Sequence, residues 1–219
     1  MGTEGGFFLT FEGVEGSGKS TQQALLARRL RGAGHGVREL REPGYTELGE
    51  RLRPLLLRSG GTPPAPAAEL FLYLAARAQL AAEVIAPALA RGQVVICDRF
   101  VDSTTAYQGY GRGFDLALIE RLNRTATGGV WPDVTVLLDL DPAVGLARRA
   151  ARREGLDRFE QEALAFHQRV REGYRALARA EPDRFVVLDG GQDPAALAAE
   201  VWARVAPRLP APAPLAPAP

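Results

Sequence analysis

Five short apolar runs recur along the chain, at residues 7–11, 37–40, 94–97, 134–140 and 185–188. Stretches with the apolar spacing of helices separate them. Runs that are apolar throughout are typical of strands buried on both faces, and their alternation with helices predicts a parallel sheet covered by helices. Ligands of such sheets bind at the carboxyl ends of the strands. The candidate residues below follow these strand ends.

Two further stretches complete the organisation of the chain. Residues 70–90 are apolar, but Arg77 and Glu83 interrupt them, so they predict a packed helix and not a membrane span. Residues 209–219 alternate proline with alanine and leucine, which predicts an extended or disordered tail. The length of 219 residues favours a single domain before this tail, which we place at residues 1–208.

A glycine-rich segment follows the first apolar run. Its residues are Gly13, Val14, Glu15, Gly16, Ser17, Gly18, Lys19, Ser20 and Thr21. The segment matches the pattern G-x-x-x-x-G-K-[ST], and Leu26 and Leu30 then continue as a helix. Strand, glycine loop and helix in this order are the context in which the pattern binds nucleotide phosphates. Lys19 is expected to reach the β- and γ-phosphates and Ser20 to hold Mg²⁺.

Composition supports this interpretation. Lys19 is the only lysine in the chain, whereas arginine is used everywhere else. Arginine's planar guanidinium is not an equivalent substitute for a compact ammonium that reaches a phosphate. The formal net charge of +1 gives no indication of a nucleic-acid surface. The lone Cys97 excludes an internal disulfide, which suits the cytoplasm, and two histidines without a cysteine cluster give no metal-ligand spacing.

Asp98 and Arg99 end the third apolar run. A carboxylate at the end of a buried strand is the usual means of holding Mg²⁺ or its water beside a phosphate-binding loop. Asp139 is the rival, because it follows a comparable run in the fourth strand. We prefer Asp98, since the arginine directly after it places both charges at one strand terminus. The alternative is that Asp98 has no role in function and only caps a loop.

A cluster of arginines follows the fourth run. It comprises Arg148, Arg149, Arg152 and Arg153. Arg149 and Arg153 are four residues apart, which places them on one face of a helix. An ordinary solvated helix face explains such a cluster by itself. Beside a phosphate-binding loop, the same cluster can form a lid that brings guanidinium groups to the transferred phosphoryl group, and we predict this lid at residues 148–160.

Two other segments supply polar groups after strand ends. Residues 41–44, Arg-Glu-Pro-Gly, predict a fixed turn after the second run. Residues 103–109 follow the Asp98 loop and offer hydroxyl groups, an amide and an aromatic ring, a set that suits recognition of a base. An ordinary polar loop is the alternative for each.

Together these segments resemble the thymidylate kinase family of nucleoside monophosphate kinases, from about residue 6 to residue 207. The stretches that carry the resemblance are FEGVEGSGKST at 11–21, REPG at 41–44, LGERLR at 48–53, YLAARAQ at 73–79, DRFVDSTTAYQGYGRG at 98–113 and GLDRFEQE at 155–162. The chain has Glu15 in the glycine loop and arginines in the lid, so it looks like the lid-arginine, bacterial-type branch. Tyr45, Tyr73 and Phe100 depart from the family's common residues, but none of them removes a charge.

The resemblance implies a fold and an activity. The fold is that of P-loop NTPases, an α/β fold with a five-stranded parallel sheet, helices on both faces and a small arginine-bearing lid. The activity is transfer of the γ-phosphoryl group of ATP to dTMP, with Mg²⁺ as cofactor. A cytoplasmic homodimer without nucleic-acid or membrane partners is also implied.

The resemblance further assigns roles to single residues. Catalytic roles fall to Lys19, Asp98, Arg99, Arg149 and Arg153. Asp98 would organise Mg²⁺ and its water, and Arg99 would lie between the donor and acceptor phosphates. Contacts with the acceptor fall to Glu42, Arg53, Tyr73, Arg77, Arg99, Thr104, Tyr107 and Gln108.

Within that acceptor set, the implied contacts are distinct. Arg53 would hold the monophosphate, Arg77 would donate to a thymine carbonyl, and Tyr73 would stack on the base. Gln108 and Thr104 would read the base edge. Tyr107 would crowd the 2′ position of the sugar and favour deoxyribose.

Two rival functions are weighed against this one. A deoxynucleoside kinase would attack with a sugar hydroxyl and needs a carboxylate base, for which Asp98 or Glu42 is available. A phosphomonoester, with a second pKa near about 6, is already largely dianionic at pH 7 and needs cations instead, so the arginine surplus and Arg53 favour the monophosphate. A nucleotide-binding switch needs no acceptor pocket and leaves Arg77, Tyr107 and Gln108 unexplained.

Overall fold

The computed structural model describes residues 5–59, 62–151 and 157–212. Its strands are β1 (Phe7–Glu12), β2 (Val37–Arg41), β3 (Val94–Asp98), β4 (Val134–Asp139) and β5 (Phe185–Asp189). They form one sheet in the order β2-β3-β1-β4-β5, and every neighbouring pair is parallel. The predicted five-stranded parallel sheet is confirmed, and each strand ends within one residue of its predicted end.

Helices connect the strands. Those in the described ranges are α1 (Lys19–Gly32), α2 (Glu47–Leu57), α3 (Pro66–Leu80), α4 (Ala86–Ala90), α5 (Val101–Thr104), α6 (Leu116–Thr127), α7 (Pro142–Ala150), α8 (Leu164–Ala180) and α9 (Pro194–Val205). Wider π-helical turns join α3 to α4 (Ala81–Ile85) and extend α5 (Thr105–Gly111), and a 3₁₀ turn (Ala206–Arg208) follows α9.

The two faces of the sheet bury separate apolar layers. Side chains alternate along a strand, so Leu9 and Phe11 of β1 pack in one layer with Leu30 of α1 and Val201 of α9. Phe8, the residue before Leu9, packs in the opposite layer with the helical stretch that precedes β3. The helices on both faces that the apolar runs predicted are therefore present.

The apolar stretch before β3 is one long helical segment, Pro66–Ala90. By length and composition alone it could cross a membrane, a test that core helices of soluble proteins also pass. Here Leu70 and Leu80 are buried in the protein, and the guanidinium of Arg77 is buried with them. The segment is thus the packed helix that its interrupting charges predicted.

The end of the chain differs slightly from the prediction. Leu209, which we placed in the tail, is partly buried against the same apolar layer as Val37 and Trp202. Its side chain is apolar and follows the 3₁₀ turn directly, so it packs against the edge of that layer. Residues 210–212 form neither helix nor strand, and residues 213–219 lie outside the described residues.

Candidate active site

One cavity of about 390 Å³ collects most of the predicted residues at the carboxyl ends of β1, β2 and β3. The predicted residues in its wall are Glu15, Gly16, Gly18, Lys19, Ser20, Thr21, Glu42, Arg53, Tyr73, Asp98, Arg99, Thr104, Tyr107, Gln108 and Arg149. Gly13, Val14, Ser17 and Arg77 lie behind this wall. A volume of this size is typical of small-molecule sites.

The glycine loop folds around the ammonium group of Lys19. Nζ donates hydrogen bonds to the carbonyl oxygens of Gly13 at 3.1 Å and Val14 at 2.9 Å, and to Ser17 Oγ at 3.4 Å. Burial, with the nearby Arg99, lowers the pKa of Lys19 to about 8. Lys19 forms no salt bridge with another described residue, so phosphate oxygens can replace its present partners without breaking an ion pair.

Two glycines permit the close packing of this loop. At Gly13, with a φ of 137°, a Cβ would lie 2.5 Å from the carbonyl oxygen of Leu138 in β4. At Gly16, with a φ of 70°, a Cβ would lie 2.2 Å from the carbonyl oxygen of Gly145 in α7. Only glycine fits such positions without moving the backbone. The loop therefore lies directly against the helix that carries Arg149.

The two predicted metal ligands lie close together, Ser20 at the start of α1 and Asp98 at the end of β3. Ser20 Oγ donates a 2.6 Å hydrogen bond to Asp98 Oδ2. Asp139, the rival carboxylate, is instead engaged by Arg171, whose Nε and Nη2 donate to its two oxygens at 2.7 and 3.0 Å. A carboxylate paired with arginine is a poor cation ligand, so the geometry favours Asp98.

Arg99 is held at the mouth of the loop in a left-handed backbone conformation, with a φ of 73°. Residues other than glycine adopt this conformation rarely, and it is often found at functional sites. The Arg99 N–H donates to the Phe11 carbonyl at 3.0 Å. Nη1 donates to the Gly13 carbonyl at 3.1 Å, and Nη2 donates to Glu15 Oε1 at 3.0 Å. The turn therefore directs the guanidinium at the phosphate-binding loop.

Glu15 links the loop to the acceptor end of the cavity. Its Oε1 accepts hydrogen bonds from the Tyr107 hydroxyl and from Arg99, and His167 Nδ1 lies 3.2 Å from its Oε2. Burial alone would raise the pKa of Glu15, but His167, Arg99 and Lys19 outweigh it and hold the pKa below its usual range. The carboxylate is thus charged and fixes the ring of Tyr107, over which the Arg99 guanidinium stacks at 4.9 Å.

The turn after β2 brings Arg53 into the cavity wall. Arg53 Nη1 donates to the carbonyl oxygen of Pro43 at 2.6 Å, and the peptide bond between Glu42 and Pro43 is cis. Burial lowers the pKa of Arg53. Tyr73 stands in the same wall, with its ring centre 6.2 Å from that of Phe159.

Gln108 and Thr104 are each oriented by a charged side chain. Gln108 Nε2 donates to Glu69 Oε1 at 2.8 Å, which fixes the amide because its oxygen would repel the carboxylate. Glu69 is itself 1% exposed. Thr104 Oγ1 accepts a 2.7 Å hydrogen bond from Arg77 Nη1. Both polar groups therefore present a defined side to the cavity.

Arg77 lies behind the wall and not in it. Its side chain is buried, and its five N–H groups donate to Glu42 twice, to Thr104, to Asn123 and to the Phe100 carbonyl, at 2.7 to 3.0 Å. A thymine carbonyl would have to replace one of these partners. In this structure Arg77 positions wall residues, and its direct contact with a base stays a prediction.

The described part of the predicted lid contributes one arginine to the cavity. Arg149 lies in the wall and its Nε donates to Glu160. Arg148 does not line the cavity: its Nη1 donates to the carbonyl oxygen of Gly190 at 2.8 Å and to that of Gly16, in the glycine loop, at 3.4 Å. Arg153, which we predicted beside Arg149, lies outside the described residues.

A family model described as thymidylate kinase matches residues 11–201 of the chain. The chain belongs to the thymidylate kinase family. Its cavity brings together the glycine-rich loop, the Asp98–Arg99 pair and Arg149 of α7.

Individual relatives agree with the family model. The chain is 58% identical to the thymidylate kinase of Solidesulfovibrio magneticus over 201 residues, which covers 89% of this chain and 96% of the relative. It is 54% identical to that of Deinococcus radiodurans over 203 residues, covering 93% and 98%. The crystal structure of thymidylate kinase from Ehrlichia chaffeensis superposes with a TM-score of 0.74 at 36% identity, covering 92% of this chain and 99% of that one.

Sequence reasoning missed several residues of this thymidylate kinase site. Those in the wall with polar or aromatic side chains are Arg41, Ser103, Asp157, Phe159 and Glu160. Each lies in a segment that carried the family resemblance, so the segment was the available signal, but no pattern marked the single residue. Two residues behind the wall, Glu12 and Tyr174, were also missed, and 162 positions separate these hydrogen-bonded partners.

Proposed function

We propose that the protein transfers the γ-phosphoryl group of ATP to dTMP, giving dTDP and ADP, a step in dTTP biosynthesis. One observation carries the proposal: a single cavity joins the phosphate-binding loop to a second polar end at Arg53, Tyr73 and Gln108. Membership of the thymidylate kinase family supports the same conclusion.

The donor end suits ATP with Mg²⁺. Gly13 to Thr21 would surround the phosphates, with Lys19 on the β- and γ-phosphates. Ser20 Oγ and Asp98 Oδ2, 2.6 Å apart, are the hard oxygen ligands that Mg²⁺ prefers. No group of three carboxylate, imidazole or thiol side chains in the described residues could hold a metal alone, so the ion would arrive with the phosphates. Bound Mg²⁺ would neutralise charge on them.

The acceptor end suits a pyrimidine deoxynucleotide. Arg53 would bind the monophosphate beside the Pro43 turn, with Glu42 behind it. Tyr73 would stack on the base, while Thr104 and Gln108 would read its edge. Tyr107 would face the sugar, because Glu15 and Arg99 fix its ring.

The chemistry between these ends is charge neutralisation. A dianionic acceptor phosphate needs no general base, but its approach to ATP needs cations between the two anions. Arg99 contacts the loop at Gly13 and stacks over the Tyr107 ring, and would lie between the two anions, while Arg149 lines the cavity from α7. Arg153 would join Arg149 as part of a lid within residues 148–160. These groups would stabilise charge that develops as the phosphoryl group moves.

The test is a panel of nucleoside monophosphates with ATP and Mg²⁺, scored for diphosphate product. We expect dTDP to form fastest. Thymidine serves as the control acceptor, because product from thymidine and none from dTMP would indicate a deoxynucleoside kinase. ATP consumption that does not depend on any acceptor would contradict kinase function altogether.

We also propose a homodimer formed through α2, α3 and α6. These adjacent helices expose large apolar side chains, with Leu55 58% and Phe71 60% exposed. Apolar surface of this kind often marks a protein interface. Light scattering should give the mass of a dimer, and the double variant Leu55→Glu, Phe71→Glu should give a monomer. Val144→Glu, at an exposed valine of α7, is the matched control, and a monomeric wild type would refute the proposal.

The cytoplasm is the proposed location, and one kinase domain at residues 1–208 is the proposed organisation. The sole cysteine, Cys97, is buried as a free thiol, which suits a reducing compartment. Cell fractionation should place the protein in the soluble cytoplasmic fraction, and recovery with membranes would contradict this.

A further inference from the structure

The chemistry proposed above leaves one buried carboxylate unused. Glu12 is the last residue of β1 and is 0% exposed. Burial, and repulsion from Asp102, raise its pKa to about 7. Burying a carboxylate is costly unless hydrogen bonds compensate, so the partners of Glu12 indicate what it is for.

Both oxygens of Glu12 accept hydrogen bonds from the segment that follows Asp98 and from α8. Oε1 accepts from the Phe100 N–H at 2.7 Å. Oε2 accepts from Ser103 Oγ at 2.6 Å and from the Tyr174 hydroxyl at 2.8 Å. The carboxylate therefore holds the backbone directly after Arg99 and orients two hydroxyl groups.

The same two hydroxyl groups meet Arg99. Nη1 of Arg99 lies 3.1 Å from the Tyr174 oxygen and 3.3 Å from Ser103 Oγ, and it shares its two hydrogens among these oxygens and the Gly13 carbonyl. The two hydroxyl oxygens also lie 2.8 Å apart, so at least one hydroxyl donates to Glu12 while the other donates to Glu12 or to its neighbour, and both offer lone pairs to Arg99. The charged carboxylate thus sets the direction of both hydroxyl groups, and they set the position of the guanidinium.

We propose that Glu12, Ser103 and Tyr174 are positioning residues that fix the Arg99 guanidinium for phosphoryl transfer. This inference rests on the proposed function, because Arg99 is the group that would contact the phosphates. A relay through neutral hydroxyl groups fixes the guanidinium without placing a second carboxylate on it. Glu15 already pairs with Nη2, so the charge on the Nη1 side stays available to the substrate.

The relay needs an acceptor at Glu12 Oε2. In Glu12→Gln, the amide oxygen can replace only one carboxylate oxygen. If it accepts from Phe100, the amide nitrogen faces both hydroxyl groups as a donor. One hydroxyl can then donate to the other, but the remaining hydroxyl hydrogen must turn towards Arg99, where it meets the N–H groups.

A double-mutant cycle on kcat tests the relay. Tyr174→Phe should lower kcat about fivefold and Glu12→Gln about tenfold, the effect expected of one weak and one charge-assisted hydrogen bond. The KM for dTMP should stay within about twofold, since Arg99 acts mainly in the transition state. In an Arg99→Ala background, both substitutions should change kcat by less than about twofold.

Ser103→Ala gives a second measure if Glu12→Gln folds poorly. Tyr110→Phe is the matched control, because it removes a hydroxyl from a ring that packs on Gly173 of the same helix as Tyr174. It should leave kcat unchanged. If Tyr174→Phe and Ser103→Ala lower kcat by the same factor with and without Arg99, the residues are only structural and the relay is refuted.

The two proposals fail in different ways. A folded wild-type protein that makes no dTDP would refute the function, whatever the variants do. Full dTMP kinase activity, with Tyr174→Phe as active as the wild type, would refute the relay alone.

Discussion

The two ends of the cavity are built in different ways. The glycine loop of the donor end is one continuous segment, and its contacts to Lys19 are mostly backbone carbonyl oxygens. The acceptor end comes from separate segments, and its polar side chains are set by other side chains, as Glu69 sets Gln108 and Arg77 sets Thr104. Donor binding therefore depends mainly on backbone shape, whereas acceptor choice depends on buried charges outside the site.

The strongest test of the donor end is Lys19→Ala. We expect kcat to fall by about 10²–10³ or more, because a charge contact with the transferred phosphoryl group is lost. Steady-state kinetics measures this, and thermal unfolding verifies that the variant is folded. Lys19→Arg is the matched control. It should recover little activity, because a planar guanidinium does not fit between the carbonyl oxygens of Gly13 and Val14 that hold the lysine ammonium. A folded Lys19→Ala enzyme with near-normal kcat would remove the loop from the mechanism.

The matching test of the acceptor end is Gln108→Ala. It should lower kcat/KM for dTMP about 10- to 100-fold, since a buried base edge would lose its partner. The KM for ATP should not change, so the variant would distinguish an effect on the acceptor end from an effect on the donor end. Gln79→Ala, at a glutamine that bonds Glu83 in an exposed position, is the control. If kcat/KM falls equally for ATP and for dTMP, Gln108 supports the fold of the site and does not recognise the base.

Tyr107 joins the two ends, and its substitution should alter selectivity more than rate. Tyr107→Ala should lower the ratio of kcat/KM for deoxy over ribo forms of one pyrimidine monophosphate by about tenfold, because a steric wall is removed. Tyr107→Phe keeps the ring and loses the hydroxyl that donates to Glu15, so it should retain the preference. An unchanged ratio in Tyr107→Ala means that the ring does not select the sugar.

The smallest expected effect is a pH dependence of kcat that Glu12 causes. Its pKa is raised to about 7 from a usual 4.5, so the carboxylate is charged above pH 7 and protonates as the pH falls through 7. Asp102, Arg99, Ser103 and Tyr174 face it, and Lys19, whose own pKa is lowered to about 8, also interacts with it.

Wild-type kcat should therefore decline below pH 7 by a few fold relative to Glu12→Gln, for which this ionisation is absent. The second ionisation of dTMP, near about pH 6, affects both enzymes and cancels in the ratio of the two profiles. A ratio that is flat from pH 6 to pH 8 would show that the ionisation of Glu12 does not matter to turnover.

The same contrast explains what could be predicted from the sequence. The sheet was predictable because four of its five strands carry nearly continuous apolar runs, whereas β2 has two charged residues between Val37 and Leu40. The donor loop was predictable because its glycines and Lys19 are close together in sequence. Among the acceptor residues, the resemblance pointed to Gln108 and Arg53, which line the cavity.

Supporting contacts were not predictable, for a physical reason. Glu69 lies in a helix whose spacing is that of any packed helix, and its partner Gln108 is 39 positions away. Arg77 was expected to contact the base, yet all five of its N–H groups donate to acceptors within the protein. Sequence indicates which chemical groups are present, but the pairing of buried groups depends on a packing that no local pattern encodes.

The solitary lysine makes this protein simple to label. An amine-directed reagent meets only one side-chain amine in the chain, Lys19. Its pKa of about 8 leaves a useful fraction of the nucleophilic free base in mildly alkaline buffer. Because that amine lies in the donor loop, the mass added by the reagent at Lys19 would report directly on whether a nucleotide occupies the loop, with no engineered probe.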